Sequence, residues 1–226
     1  MKMRFSLFSK SHFEVDYPVS LIESYCFQSD FYDNYDLLLR NGKRPIESVN
    51  KIGARISEET LNKCKNVIDS YLEIPILKLS LDEFIHDYDP KDREAHIDEL
   101  SHLVKKLDDE EGIGLSKATK ILHTLKPKII PMIDTLLQGE YDRLNQSRKS
   151  LKYNQIFIDY YNNFDVKETY DNLNSLYKDL LHLGLTKVRI FDILWWSFLK
   201  ADALTQKIKL PWTTIRRINS TYSLKS

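Results

Sequence analysis

The stretch EGIGLSKATKILHTLKPKIIPMIDTLL, residues 111–137, decides the expected fold. Two of the six glycines of the chain, Gly112 and Gly114, flank a single isoleucine here. Glycine permits a tight turn because it lacks a Cβ, and the residues that follow favour a helix that ends before Pro127. Asp134 then stands where the N-cap of a further helix is expected. The stretch therefore predicts two helices joined by a turn, with a third helix that begins near Asp134.

This turn allows two interpretations, and the residues alone leave both open. In the first, Gly112 ends one helix, Ser116 or a free amide caps the next, and Asp134 caps the third. In the second, the free amides after Gly114 lie at the positive end of a helix and bind a phosphate. The P-loop spacing is missing, and the preceding segment LVKKLDDEE is too polar for the buried strand of a dinucleotide-binding fold. The phosphate of a nucleic-acid backbone remains as the candidate ligand.

The order Gly-apolar-Gly, apolar helix, Pro, apolar-apolar-Asp-Thr resembles the helix-hairpin-helix DNA glycosylase superfamily. The interval of 20 residues from Gly114 to Asp134 agrees with the spacing between hairpin and catalytic aspartate in those enzymes. Ala118 stands where they have a small residue, and Thr135 follows the acid as in their common signature. This resemblance implies an all-α fold of about ten helices with a helix-hairpin-helix core as in DNA glycosylases.

The resemblance also implies a set of site residues and a partner, which is double-stranded DNA. Asp134 would be the catalytic acid, and no metal or cofactor is implied. Bifunctional members place a lysine nucleophile at the position of Ser116, so the resemblance implies a monofunctional glycosylase that releases a base without cutting the strand. The residues implied to contact the DNA backbone are Gly112, Gly114, Ser116, Lys117 and Lys120.

A second function, from another class, also fits the sequence. Four acids, residues 108–111, immediately precede the hairpin, and carboxylates repel a phosphate. The alternative is a catalytically inactive glycosylase-like fold that acts as a protein-interaction module, with a partner that the sequence does not specify.

The wider layout, over residues 30–200, resembles a bacterial family related to these enzymes to which no activity is assigned. This resemblance implies no function. The residues that carry it, besides the glycine hairpin, are Lys126, Pro127, Pro131, Asp134, Val188, Arg189, Asp192, Trp195 and Trp196.

The charge is balanced overall but divided between the two halves of the chain. Residues 1–142 carry 19 basic and 26 acidic side chains, and residues 143–226 carry 14 and 7. The basic half, with a cluster at 143–152, indicates either a nucleic-acid-binding face or a half that is attracted to the acidic one.

Composition excludes several classes of protein. Cys26 and Cys64 are isolated, and the six histidines lack ligand spacing, so no metal site is expected. The apolar run near the N-terminus is interrupted by serine and then lysine, and no run of eighteen apolar residues occurs elsewhere. We therefore expect neither a signal peptide nor a membrane span. A cytoplasmic protein is the resulting expectation.

The pattern of apolar residues and caps predicts one two-lobed helical domain over residues 1–205, with the helix-hairpin-helix at 97–126. Residues 206–226 are predicted to form a basic C-terminal tail, in which residues 211–226 are either a basic surface helix or a partly ordered segment. Residues 74–80 are predicted as a connection that ends in a cap at Ser80, although a short strand also fits. The predicted helices are 31–40, one from Pro45 to Ile52, 58–73 with Ser57 as N-cap, 81–87, 91–109, 115–126, one from near Asp134, 151–163, 167–183 and a central, buried helix at 188–200.

Overall fold

The computed structural model of the chain describes residues 2–28, 49–50, 53–145, 153–205 and 215–218. This described part is mostly helical, as the sequence predicts. The predicted helix at 31–40 and most of the one at 45–52 lie outside it, as does the basic cluster beyond residue 145. The α-helices of the described part are α1 Pro18–Gln28, α2 Glu58–Asp69, α3 Leu81–His86, α4 Pro90–Asp108, α5 Leu115–Leu125, α6 Thr135–Leu144, α7 Tyr153–Tyr161, α8 Lys167–Asp179 and α9 Lys187–Thr205.

The helix boundaries follow the local capping signals. Ser57 accepts a hydrogen bond from the backbone N–H of Thr60 and begins α2. Ser80 and Glu83 form a reciprocal capping box at the start of α3, as predicted for a connection that ends at Ser80. Within that connection Pro75–Lys78 is a short 3-10 helix and not a strand.

A small antiparallel sheet at the N-terminus was not expected from the sequence. Its strands are β1 Lys2–Leu7, β2 Ser11–Asp16 and β3 Ile215–Ile218, in the order β1-β2-β3. Phe5 pairs with Phe13 across the first two strands. The part of the basic tail that the structure describes is therefore an edge strand and not a helix.

Helix α9 is the central element, which confirms the prediction for 188–200. Its apolar residues from Val188 to Leu199 are almost completely buried, except for Trp196, which is partly exposed. Trp195 stacks on Tyr160 of α7 with ring centroids 5.5 Å apart, and Phe191 meets both rings edge-on. Helix α9 packs against α1, α6 and α8, so it fixes the position of the helix that Asp134 precedes.

Candidate functional site

Helices α4 and α5 are joined by a short turn that both glycines make possible. Gly112 and Gly114 have φ values of 75° and 98°, in the left-handed region that a side chain disfavours. Lys117 Nζ donates a hydrogen bond to the carbonyl oxygen of Gly112 at 2.6 Å and closes the turn. The predicted pair of helices is therefore present, while its identity with a glycosylase core remains a prediction.

The N-terminus of α5 offers backbone amides. Gly114 is the N-cap, and no side chain of the described residues caps this helix. The first turn of α5 also contains no acid, so the positive end of the helix dipole is not neutralised within the helix itself. Such an end is suited to binding a phosphate.

The acids before the turn oppose that role. Asp109 and Glu111 are exposed, and Glu110 is partly exposed. Asp109 pairs with Lys105 at 3.3 Å. Asp108 accepts a hydrogen bond from Tyr153 of α7 at 2.7 Å, which holds this carboxylate against the protein.

Asp134 is the N-cap of α6, as predicted. Its Oδ1 accepts the backbone N–H of Leu137 at 2.9 Å. Burial raises the pKa of the Asp134 carboxyl, and the hydrogen bond from Leu137 and the charge of Lys120 oppose that rise. Lys120, which is predicted to contact the DNA backbone, lines the same pocket as Asp134.

Asp134 faces a narrow pocket between α1, α5, α6 and α9. The pocket holds two carboxylates, two cations and two aromatic rings. Its volume is about 80 Å³, well below the roughly 300–1,000 Å³ of ordinary small-molecule sites. It is lined by Tyr25, Lys120, Met132, Asp134, Leu137, Arg189, Asp192 and Trp196.

Two aromatic side chains contact each other at one wall of this pocket. Tyr25 and Trp196 meet edge to face with ring centroids 5.5 Å apart. The guanidinium of Arg189 lies 5.8 Å from the centroid of the Tyr25 ring. A larger occupant would have to displace one of these rings.

Asp192 is the second carboxylate of the pocket and is only 3% exposed. Its Oδ2 accepts the backbone N–H of Met132, and its Oδ1 accepts the hydroxyl of Tyr160, both at 3.0 Å. Burial raises the pKa of Asp192 to about 7, and the nearby charge of Asp134 adds to the rise. The group therefore titrates near neutral pH.

The segment immediately before Asp134, residues 127–133, has no regular secondary structure, yet hydrogen bonds hold it along most of its length. Helices α5, α7 and α9 all contribute to this bracing, which satisfies the backbone groups of the loop and holds it in place. The hydrogen bonds run from Thr186 Oγ1 to Pro127 O, Leu81 N to Lys128 O, Tyr161 OH to Ile129 O, His123 Nδ1 to Ile130 O, Met132 N to Asp192 Oδ2 and Ile133 N to Thr119 Oγ1.

The predicted site residues fall into two groups. Gly112, Gly114, Ser116 and Lys117 lie together at the turn, and Lys120 with Asp134 lines the pocket. Lys120 is five residues beyond the start of α5, which corresponds to about 7 Å along the helix axis.

Sequence reasoning did not assign a role in the site to Asp192, Arg189 or Tyr25. The signal for the first two was present, because they are ionisable residues inside the otherwise apolar run VRIFDILWW. Such residues are buried at a cost unless they are paired, so they mark a polar site.

Comparison of the chain with family models, curated proteins and solved structures finds no match. Within the described residues, no helix is long and apolar enough to cross a membrane. The same part of the chain contains no group of three or more His, Cys, Asp or Glu side chains that could hold a metal ion.

Proposed function

We propose that the protein binds double-stranded DNA and that the Asp134 pocket hydrolyses the bond between a base and its sugar. The observation that carries the proposal is the placement of Asp134. It is a partly buried carboxylate beside Lys120, on a braced loop, next to a glycine turn that presents helix amides. A fixed carboxylate in a partly dry site stabilises developing positive charge better than one in water.

The chemistry follows that of glycoside hydrolysis, with one carboxylate in place of two. As the bond from C1′ to the base nitrogen breaks, positive charge develops on the sugar, and the Asp134 carboxylate stabilises it. Asp134 accepts a proton from water as the water oxygen bonds to C1′, the departing base takes up a proton from solvent, and Asp134 then returns its proton to solvent. The target base must first leave the duplex.

Ser116 limits the reaction to base release. A strand-cutting step requires an amine that attacks C1′, and a serine hydroxyl cannot form the Schiff base. The neighbouring amine of Lys117 is hydrogen-bonded to Gly112 in the turn. The product is therefore an abasic site in an unbroken strand.

Asp192 is a positioning residue in this proposal. It binds the N–H of Met132, two residues before Asp134, and thereby ties the catalytic loop to α9. Its pKa near 7 also means that the charge next to Asp134 changes around neutral pH.

Two observations favour the second candidate, an inactive fold that binds another protein. The acids at 108–111 place negative charge immediately before the turn. The pocket volume of about 80 Å³ is small for a base, so a base enters only if Tyr25 or Trp196 moves. A protein partner with a basic surface would suit these acids.

Base release is tested on duplexes that each contain one deaminated, alkylated or oxidised base. The expected product is a site that breaks in alkali and forms no adduct with borohydride. Asp134→Asn should abolish release, whereas Asp142→Asn changes an exposed carboxylate of the same helix and should leave it intact. An adduct trapped on Lys117 would refute the monofunctional mechanism, and the absence of product from every duplex would refute catalysis.

DNA binding is tested separately by fluorescence anisotropy. We expect weak binding that declines steeply with salt, because few lysines act against four acids. Lys120→Gln should weaken it, while Lys106→Gln, on the exposed face of α4, should not. If no duplex binds even at low salt, the interaction module is the function that remains.

A further inference from the structure

A second, larger cleft lies at the opposite end of α5 from the glycine turn. It is formed by residues 77–79, by 125–129 and by the end of α8 with the connection to α9. Its volume is about 470 Å³, within the roughly 300–1,000 Å³ of small-molecule sites. Its lining shares no described residue with the Asp134 pocket, so it is a separate site.

The cleft is strongly basic. Lys78, Lys126 and Lys128 contribute to its lining, and none of its described lining residues carries a carboxylate. Glu73 contacts this lysine cluster, since its Oε2 accepts a hydrogen bond from Lys78 at 2.5 Å. The hydrogen bond and charge of Lys78 lower the pKa of Glu73, and the charge of Lys126 adds to that effect. Because the Glu73 side chain is 91% exposed, an anionic ligand can displace it from Lys78 at little cost.

One wall of the cleft is apolar and partly open to solvent. Leu181 is 59% exposed, an unusual position for a leucine unless something covers it. Tyr177 lies beside it, and Lys187 Nζ is 5.4 Å from the Tyr177 ring. Lys187 also donates a hydrogen bond to Asp82 at 2.6 Å, which fixes the position of the cation beside this ring.

We infer that this cleft binds a small organic phosphate monoester. The dianionic phosphate lies among Lys78, Lys126 and Lys128, and the apolar or aromatic body of the ligand covers Leu181 and Tyr177. A dianion fits better than a single carboxylate, since three lysines line the cleft, while the acids that interact with them, Glu73 and Glu83, lie outside its lining. A concave cleft about 16 Å along α5 from the turn suits a small molecule better than the rigid backbone of a duplex.

The test uses 1-naphthyl phosphate as the probe and isothermal titration calorimetry as the measurement. We expect one molecule to bind per chain. Lys126→Gln combined with Lys128→Gln should weaken binding by about tenfold or more, because charge-assisted hydrogen bonds to phosphate are lost. The matched control, Lys91→Gln combined with Lys106→Gln, removes two exposed charges from α4 and should leave the affinity unchanged. Circular dichroism confirms that each variant is folded.

The apolar part is tested with Leu181→Ala and with inorganic phosphate. Naphthyl phosphate should bind the Leu181→Ala variant several times more weakly than it binds the wild type, because contact with the apolar body is reduced. Inorganic phosphate should bind the wild type several times more weakly than naphthyl phosphate does, because it has no apolar body. Equal affinity for inorganic and naphthyl phosphate would overturn the proposed apolar contact. Failure of naphthyl phosphate to bind, or an unchanged affinity in the lysine variant, would overturn the site. Loss of oligonucleotide binding in that variant, without any binding of naphthyl phosphate, would assign the lysines to DNA instead.

Discussion

Replacement of the buried Asp192 by asparagine should change how the stability of the protein depends on pH. The pKa of this carboxyl is about 7 in the folded chain, against an ordinary value of 3.8. The folded state therefore holds the proton more tightly than the unfolded state does. It follows that the contribution of Asp192 to stability is most favourable below 3.8, declines as the pH rises toward 7, and is constant above that.

The size of the effect follows from the two pKa values. Between about pH 5 and pH 8 the wild-type protein should lose about 2–3 kcal/mol of stability through this one group. Asparagine does not titrate, so Asp192→Asn should avoid this loss. The variant also weakens the hydrogen bonds to Met132 and Tyr160, which adds a penalty that does not depend on pH. Relative to the wild type, the free energy of unfolding of the variant should therefore rise by about 2–3 kcal/mol over this pH range, whatever the size of the constant penalty.

Urea unfolding followed by far-ultraviolet circular dichroism, repeated across that pH range, measures this difference. Asp142→Asn, on the exposed side of α6, reports the effect of the same chemical change at the surface. Parallel pH profiles for wild type and Asp192→Asn would refute the reasoning. A variant that loses stability relative to wild type as the pH rises would show that Arg189 and the hydrogen bonds hold Asp192 ionised.

Three further changes test the geometry around the site by thermal or urea unfolding. Gly114→Ala should destabilise the protein by about 1–2 kcal/mol because of the positive φ of Gly114. Gly139→Ala, within α6 and with open space around it, should stabilise the protein by up to about 1 kcal/mol. Equal effects of the two substitutions would refute the role of the turn. Arg93→Lys should cost about 1–3 kcal/mol, since lysine cannot make both of the hydrogen bonds that Arg93 donates to Asp165; an unchanged midpoint would contradict this. Asp134→Ala should cost about 1 kcal/mol through the lost cap while Asp134→Asn keeps it, and equal losses would argue against capping.

Most of the described helices could be predicted because their ends depend on nearby residues, although α1 was not predicted. Ser57, Ser80 and Asp134 each accept a hydrogen bond from an amide three residues further along the chain, and each was predicted as a cap. The apolar run at 188–200 likewise predicted that this helix is buried. These features depend on spacing within a single helix, which the sequence contains in full.

The N-terminal hairpin could not be predicted because its turn lacks the usual residues. Phe8 and Ser9 have φ values of 52° and 55°, a conformation that normally requires Asn-Gly or a similar pair. The strain is offset by packing, since Phe8 is fully buried and its ring contacts Tyr141 and Trp195. Those partners are more than 130 residues away in sequence, so no local pattern indicates the turn.

The pocket was only half predictable for a similar reason. Asp134 and Lys120 belong to the stretch around the glycine turn, and spacing relates them. Tyr25 and Asp192 reach the pocket through the packing of α1 and α9, and nothing in their own neighbourhoods indicates the distance to Asp134. The narrow volume of the pocket is also a property of packing alone.

The presence of an acid at position 192 itself bears on function. Bracing of the Asp134 loop does not require a carboxylate, because the amide of asparagine can accept the N–H of Met132 and donate to the hydroxyl of Tyr160. A carboxylate there destabilises the fold above neutral pH, as its raised pKa implies. In the base-release assay, Asp192→Asn distinguishes a residue that only braces the loop from one whose charge acts on Asp134. If Asp192→Asn keeps full activity and flattens only the stability profile, the residue braces the loop; if it folds normally but alters the pH dependence of base release, its charge acts on Asp134.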